Sequence, residues 1–449
     1  MKRADLLIFV FVLIYSAGMA QKKTGLWKSL NTPAQKDTTG EDYYVDNVLR
    51  YEDHIYKKNI RTVQLRDISF ELSHAILALG SEEQLKLSFD DLDADLKNYN
   101  YTIIHCNSNW EPSDIMQNEY IDGFLENNIN DYRYSFNTLQ KYTHYNVTFP
   151  NSSLRITKSG NYLLKVYLNS NQEDLVLTRR FMVFDNKISI VSNVTAASII
   201  EYRTFKHEID FTIDHSGYEV KNPFADLQVV ITQNGRWDNA KRNLKPVYVK
   251  DNQLVYDYDE ENVFPGGNEF RYFDIRSVRY HSEKVYAVDM DSLGYHVELY
   301  KDEKRTFKRY YSQTDMNGDF LIKVQEGNNS EVEADYCYVT FFLPYDQAMT
   351  DGNLYVFGNF NAFQCNTENL MHYDPKRFGY VCTLYLKQGF YNYEYAFLKD
   401  GDTAADDTVI EGMHYETEDD YTIYVYIHEP GTFYEQLIGV KRLNSMKQY

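Results

Sequence analysis

Glycine and proline are scarce in this chain, at 21 and 9 of 449 residues, against ordinary shares of about 7% and 5%. That argues against collagen-like repeats and Pro/Gly-rich low-complexity segments. Cysteine is scarcer still. Cys106, Cys337, Cys365 and Cys382 are the whole set, and no Cys-x-x-Cys pair occurs, which argues against zinc ribbons and thioredoxin-type redox chemistry. Beyond residue 20 no apolar run approaches the ~18 residues that a membrane span needs. Positive charge is short as well: 46 Lys and Arg face 66 Asp and Glu, a formal net charge of −20. Such a surface repels phosphate backbones and anionic lipids, so neither nucleic acid nor polybasic membrane docking is expected.

The chain is rich in aromatics, with 42 Tyr and 26 Phe against 3 Trp. A hydrophobic share of 43% offers enough apolar surface to offset ordering entropy. At about 100–200 residues per domain, the length suggests two to four domains. The start reads as a secretory signal peptide over residues 1–20. Lys2 and Arg3 precede an apolar core from Leu6 to Tyr15, and Gly18 and Ala20 supply the small residues before Gln21. No Cys sits at the cleavage point, so a bacterial lipid anchor is not indicated. An exported, soluble, acidic protein is expected, led by a flexible polar stretch over 21–42.

Period-2 alternation then recurs along the chain. Thr62–Arg66, Leu85–Phe89, Tyr99–Ile103, Tyr162–Leu168 and Arg180–Phe184 make one set. Glu208–Ile213, Leu227–Thr232, Glu269–Arg276, Tyr336–Phe342 and Tyr424–Ile427 continue the pattern. Strands spaced by turns every ten residues or so predict an all-β chain of three tandem immunoglobulin-like β-sandwich domains. The expected spans are 43–187, 188–325 and 332–430, with a C-terminal tail over 431–449. A long loop over 111–139 interrupts the first, and loops of that size tend to be functional. Ser113 is a candidate cap for a short helical turn there.

Catalytic signatures are missing. There is no GxSxG elbow, HExxH helix or phosphate-binding glycine loop, so no enzyme and no cofactor is expected. Asp214-His215-Ser216 is the best miniature of a triad, yet neighbours on a strand point to opposite faces. Asp289–Gly294 begins like a calcium loop but carries Leu293 and Tyr300 where oxygen ligands belong. Asp315–Asp319 reads as a turn with Asn317-Gly318 at positive φ. Asp400-Gly401-Asp402 reads as solvated turn carboxylates. The four cysteines allow three pairings or none; a bridge among Cys337, Cys365 and Cys382 would leave Cys106 free.

Leu354–Phe363 and Gly389–Gly401 resemble paired strands of early-set immunoglobulin-like glycogen-binding modules. Phe363 stands where those modules place a sugar-stacking tryptophan. A secreted or surface glycan-binding β-sandwich protein is therefore the alternative reading.

A second resemblance covers more of the chain. Gly266-Gly267-Asn268-Glu269-Phe270-Arg271-Tyr272-Phe273-Asp274-Ile275-Arg276-Ser277 is similar to a signature of the type IX secretion system plug proteins of Bacteroidetes. So are Glu119–Phe124, Ser135–Thr138, Tyr142–Tyr145, Phe149–Asn151 and Ser159–Leu164, in that order. The resemblance implies a periplasmic subunit, a monomer in its complex, peripheral to the outer membrane. Its implied partner is the giant translocon barrel, whose periplasmic opening it seals. Aromatic and Arg anchors dominate such interfaces. Tyr120, Phe124, Tyr132 and Tyr134 of the 111–139 stretch are candidate contacts, together with Arg271 and Arg276. Alternation along 269–276 equally makes Phe270 a core residue and Arg271–Asp274 a structural pair.

Overall fold

The computed structural model describes residues 48–446; the expected signal peptide over 1–20 and the expected lead-in over 21–42 lie outside the described residues. Nearly every alternating stretch named above is a strand, because period-2 patterning gives each a face to bury. The strands form three sandwiches, each closed over its own core.

In the first, one sheet runs Ile60–Asp67, Leu85–Asp91, Thr143–Phe149 and Asp131–Tyr134. The other orders His54–Ile55, Asn171–Phe184, Gly160–Leu168, Tyr99–Cys106 and Asn127–Asn128, with Ile76–Ala78 parallel to Asn171–Phe184. Leu87, Phe89 and Tyr145 of one sheet meet Tyr99, Leu164 and Phe181 of the other. Phe89 stacks on Tyr145 at 5.1–5.3 Å from its two ring neighbours, Tyr99 standing edge-on. Aromatic pairs of this kind add about 0.5–1.5 kcal/mol each beyond area burial.

The second sandwich is not contiguous. Ser189–Ala196, Lys206–Asp214, Gln253–Tyr256 and Tyr248–Lys250 form one sheet. Leu227–Gln233 in the other pairs with Asp420–Ile427, which pairs in turn with Gln436–Asn444. The core joins Ile209, Phe211 and Ile213 to Val229, Ile423 and Val425. Between Val263–Pro265 and Asp420–Ile427 the chain builds the third sandwich. Arg271–Asp274 and Phe320–Ile322 flank Gly389–Lys399, which Gly352–Phe357 also joins. Opposite stand Val285–Asp291, Gly294–Leu299, Tyr336–Pro344, Gly379–Lys387 and His372–Asp374. Strand pairing thus crosses the spans 188–325 and 332–430, since residues 271–299 pair within the third body and 420–427 within the second. Gln436–Asn444, expected in a tail, is a strand because Leu437 and Ile438 are buried.

The described residues form one compact unit. None of their helices is long and apolar enough to cross a membrane. The four cysteines are free thiols, and no bridge forms among Cys337, Cys365 and Cys382. Burial pushes the thiols of Cys106, Cys365 and Cys382 up to about 12, which leaves them inert at neutral pH.

Candidate functional site

Residues 111–139 carry more structure than a loop. A helical turn, Gln117–Tyr120, begins at Met116. Ser113 does not cap it; its hydroxyl is tied to His105 Nδ1 at 2.8 Å. Ile121–Gly123 then pairs with Leu154–Ile156, Asn127–Asn128 extends one sheet of the first sandwich, and Asp131–Tyr134 forms the edge of the other. This places the expected contact residues in different environments. Tyr120 is 2% exposed, packed on His105 and Tyr162, with its hydroxyl donated to Ile103 O at 3.4 Å. That corrects its assignment as a surface anchor: the helical turn points it into the core. Phe124 is 68% exposed and Tyr134 54%. Tyr132 is partly covered by Tyr145, 6.1 Å away. Phe136, Leu139 and Met116 are further exposed apolar side chains of the same stretch.

The Arg271 side chain is also largely enclosed, with 9% of it exposed. Its Nε and Nη2 donate to Glu411 at 2.9–3.1 Å, and Nη1 donates to Asp302 at 2.8 Å. Arg305 Nε adds a bond to Glu411 at 2.7 Å. Burial pushes the Glu411 carboxyl up, but these two guanidiniums outweigh it and hold the group below its usual range. The structure therefore corrects both expectations for Arg271: it does not face a partner, and its carboxylates are Glu411 and Asp302 rather than Asp274. Asp274 instead receives Arg276, whose guanidinium is half exposed.

Two sites were missed from sequence. One is a cleft of about 640 Å³ where the three sandwiches meet. Arg180 lies 4.4 Å over the Trp110 ring and 5.9 Å over Trp237. Trp110 and Trp237 meet edge to face at 5.1 Å, and Trp237 stacks on Tyr424. The scarcity of Trp was the available signal. The other is a buried cluster between the first and third sandwiches. Asp90 accepts from Lys387 Nζ and the Tyr336 hydroxyl, both at 2.6 Å, and faces His144 Nδ1 at 2.6 Å. This resembles half of a catalytic relay, yet His144 Nε2 has no hydrogen-bond partner among the described residues, so no hydroxyl completes it. The Asp214-His215-Ser216 triplet is a local turn: His215 faces Tyr218 O, and Asp214 accepts from Ser216 N. Phe363 is packed against Phe357 and Phe270, so it offers no open platform to a sugar ring.

The first sandwich, residues 60–185, matches a family model described as the type 9 secretion system plug protein 1st domain. A crystal structure of a hypothetical protein from Parabacteroides merdae superposes with a TM-score of 0.86 at 31% identity, covering 88% of this chain and 100% of that one. An Escherichia coli alpha-2-macroglobulin chain aligns at 10% identity, over 86% of this chain and 34% of that one, with a TM-score of 0.18, on which nothing rests. No curated protein matches.

Proposed function

The chain belongs to the type IX secretion system plug proteins, and from that premise we propose that it is a periplasmic subunit which binds and seals the periplasmic opening of the outer-membrane translocon barrel. The observation that supports this reading is the locking of three sandwiches into one body. A stopper must not hinge open under load, and here buried charged and aromatic contacts fasten the first sandwich to both others. No chemistry is required of it, only shape and an interface of at least about 1,200 Å² in total.

The exposed strip around Phe124, Tyr132 and Tyr134 is the docking surface in this reading, with Phe136 and Leu139 beside it. Tyr132 and Tyr134 lie on an edge strand, where a partner strand can add backbone hydrogen bonds while aromatic side chains fill pockets. Export by residues 1–20, residence in the periplasm and a monomeric state in the complex belong to the same proposal.

Affinity purification of the tagged protein from envelope extracts is expected to recover the barrel. Deletion is expected to make the outer membrane permeable to large hydrophilic antibiotics. No recovered barrel together with unchanged permeability would sink the reading. A Phe124→Ser/Tyr134→Ser variant is expected to fold with an unchanged melting temperature and to lose the barrel. Retention of the barrel by that variant would move the docking surface elsewhere.

A further inference from the structure

Two groups of three carboxylates have ligand oxygens within 4.8 Å of one another, and they differ in what holds them. Asp91, Asp93 and Asp95 surround an ammonium: Lys97 Nζ lies 2.9 Å from Asp91 and 3.5 Å from Asp95, and bonds Asp93 as well. That group carries its own cation. Glu208, Asp210 and Asp257 have none, since no ion pair among the described residues reaches any of the three.

Strand geometry brings them together. Ile209, Phe211 and Ile213 of Lys206–Asp214 point into the core, so Glu208 and Asp210 share the other face. Asp257 follows Gln253–Tyr256, which pairs with that strand. Glu208 is buried and accepts from Ser198 N and Oγ at 2.6 and 2.9 Å. Burial, then the neighbouring Glu208 and Asp257, push the Asp210 carboxyl up to about 6. Three carboxylates this close repel one another unless a cation lies between them.

The second observation is Asn262, which is fully buried. Its Nδ2 donates to Ile209 O at 2.7 Å and to Asp210 Oδ1 at 3.2 Å. The bond to the Ile209 carbonyl fixes which end of the amide is nitrogen. Its Oδ1, on the amide that touches Asp210, is enclosed without a hydrogen-bond partner. A buried amide oxygen left bare, on a side chain whose nitrogen already touches Asp210, has the chemistry of a cation ligand.

We propose that Glu208, Asp210 and Asp257, with the side-chain oxygen of Asn262, bind a calcium ion on the middle sandwich. The donors are all oxygens, which suits a hard cation and not zinc or copper. Oxygens on opposite sides of calcium stand about 5 Å apart, so the cluster accepts the ion without moving the strands. The site lies apart from the edge-strand strip assigned to docking, and its test does not depend on that reading.

The full mature protein is stripped with a chelator and titrated with calcium by calorimetry and by thermal melting. Saturable binding with a dissociation constant of about 10⁻⁴–10⁻³ M, the range of extracellular modules, and a calcium-dependent rise in melting temperature are expected. Asp210→Asn and Asp257→Asn are expected to lose both. In chelator, Asp210→Asn is expected to melt no lower than wild type, because it removes one of three repelling charges; a purely structural carboxylate would make it melt lower. Asp93→Asn, in the group that already holds Lys97, is expected to bind calcium like wild type. Absence of binding and of any melting shift up to about 10⁻³ M calcium overturns the proposal, as does an equal shift with magnesium or retained binding in Asp210→Asn.

Discussion

The first sandwich meets its two neighbours through seams of opposite character. Against the second it presents Ile76, Cys106, Trp110, Leu163 and Met182, which close on Val230, Tyr424, Tyr426 and Leu437. Against the third it presents charge: Asp90 and His144 on its side, Lys387 and Tyr336 on the other. Asp335 of the third body accepts the backbone N–H groups of Leu139 and Gln140, and the Tyr142 hydroxyl donates to Ala334 O at 2.8 Å. An apolar seam stabilises by area and tolerates imperfect register. A buried ionic seam contributes little net energy but is costly in any other arrangement, which makes it a device for fixing orientation. The first seam glues and the second aligns.

Breaking the alignment has the largest expected effect. Lys387→Met leaves the Asp90 carboxylate buried with its main cation gone, and a loss of about 3–5 kcal/mol is expected. Chemical denaturation measures it. The double variant Asp90→Asn/Lys387→Met is expected to recover most of that loss, because no uncompensated charge remains. If the single variant loses under about 1 kcal/mol, a fraction of the cost of an unpaired buried charge, the seam is not ionic in effect.

Next comes the glue. Leu437→Ala removes a fully buried side chain, for which about 2–5 kcal/mol is expected. The two seams also part in their response to acid. Burial pushes the Asp90 carboxyl up, but Lys387 and His144 together outweigh it and hold it below its ordinary value. Lys387 is itself held low, because complete burial outweighs the pull of Asp90 and Glu331. A carboxyl lowered by folding contributes stability above its unfolded pKa of about 3.9, and that contribution is lost as pH falls through the folded value. Wild type is therefore expected to lose stability more steeply than Asp90→Asn below about pH 4. Leu437→Ala is expected to run parallel to wild type. Unfolding curves taken at a series of acid pH values test both, and a wild-type slope no steeper than that of Asp90→Asn would break the comparison.

Sequence made the strands legible but not their partners. Alternation in Glu208–Ile213 and Leu227–Thr232 states which side chains share a face, and the buried set Ile209, Phe211, Ile213 follows from it. It is silent on pairing, so nothing in Leu227–Gln233 announces that its neighbour lies at Asp420–Ile427, nearly two hundred residues on. The same limit applies to the site. Tyr120 and Phe124 sit four apart in one polar stretch, yet one is buried by a helical turn and the other exposed by the strand that follows. Arg271 has a carboxylate three residues away in Asp274, but folding supplies the fully buried Glu411, whose two oxygens accept from its Nε and Nη2. The acidic trio of Glu208, Asp210 and Asp257 was half visible, as two acids on one strand face; the third came from the neighbouring strand.

The smallest expected effect sharpens the contrast most. The apolar seam contains a fully buried polar contact, the Tyr426 hydroxyl donating to Asn161 Oδ1 at 2.8 Å. Tyr426→Phe keeps the ring and its packing while leaving the Asn161 oxygen unpaired, so about 0.5–1.5 kcal/mol should be lost. Asn161 Nδ2 still donates to Asn107 O at 3.0 Å, which keeps the amide in place. If orientation in this seam rests on area alone, adding Asn161→Leu to Tyr426→Phe should restore much of the stability, since both polar groups are then gone and Asn107 O keeps the Trp110 N–H at 2.9 Å. A loss well above that range, not relieved in the double variant, would mean that the apolar seam also aligns the sandwiches, and the division of labour between the two seams would fail.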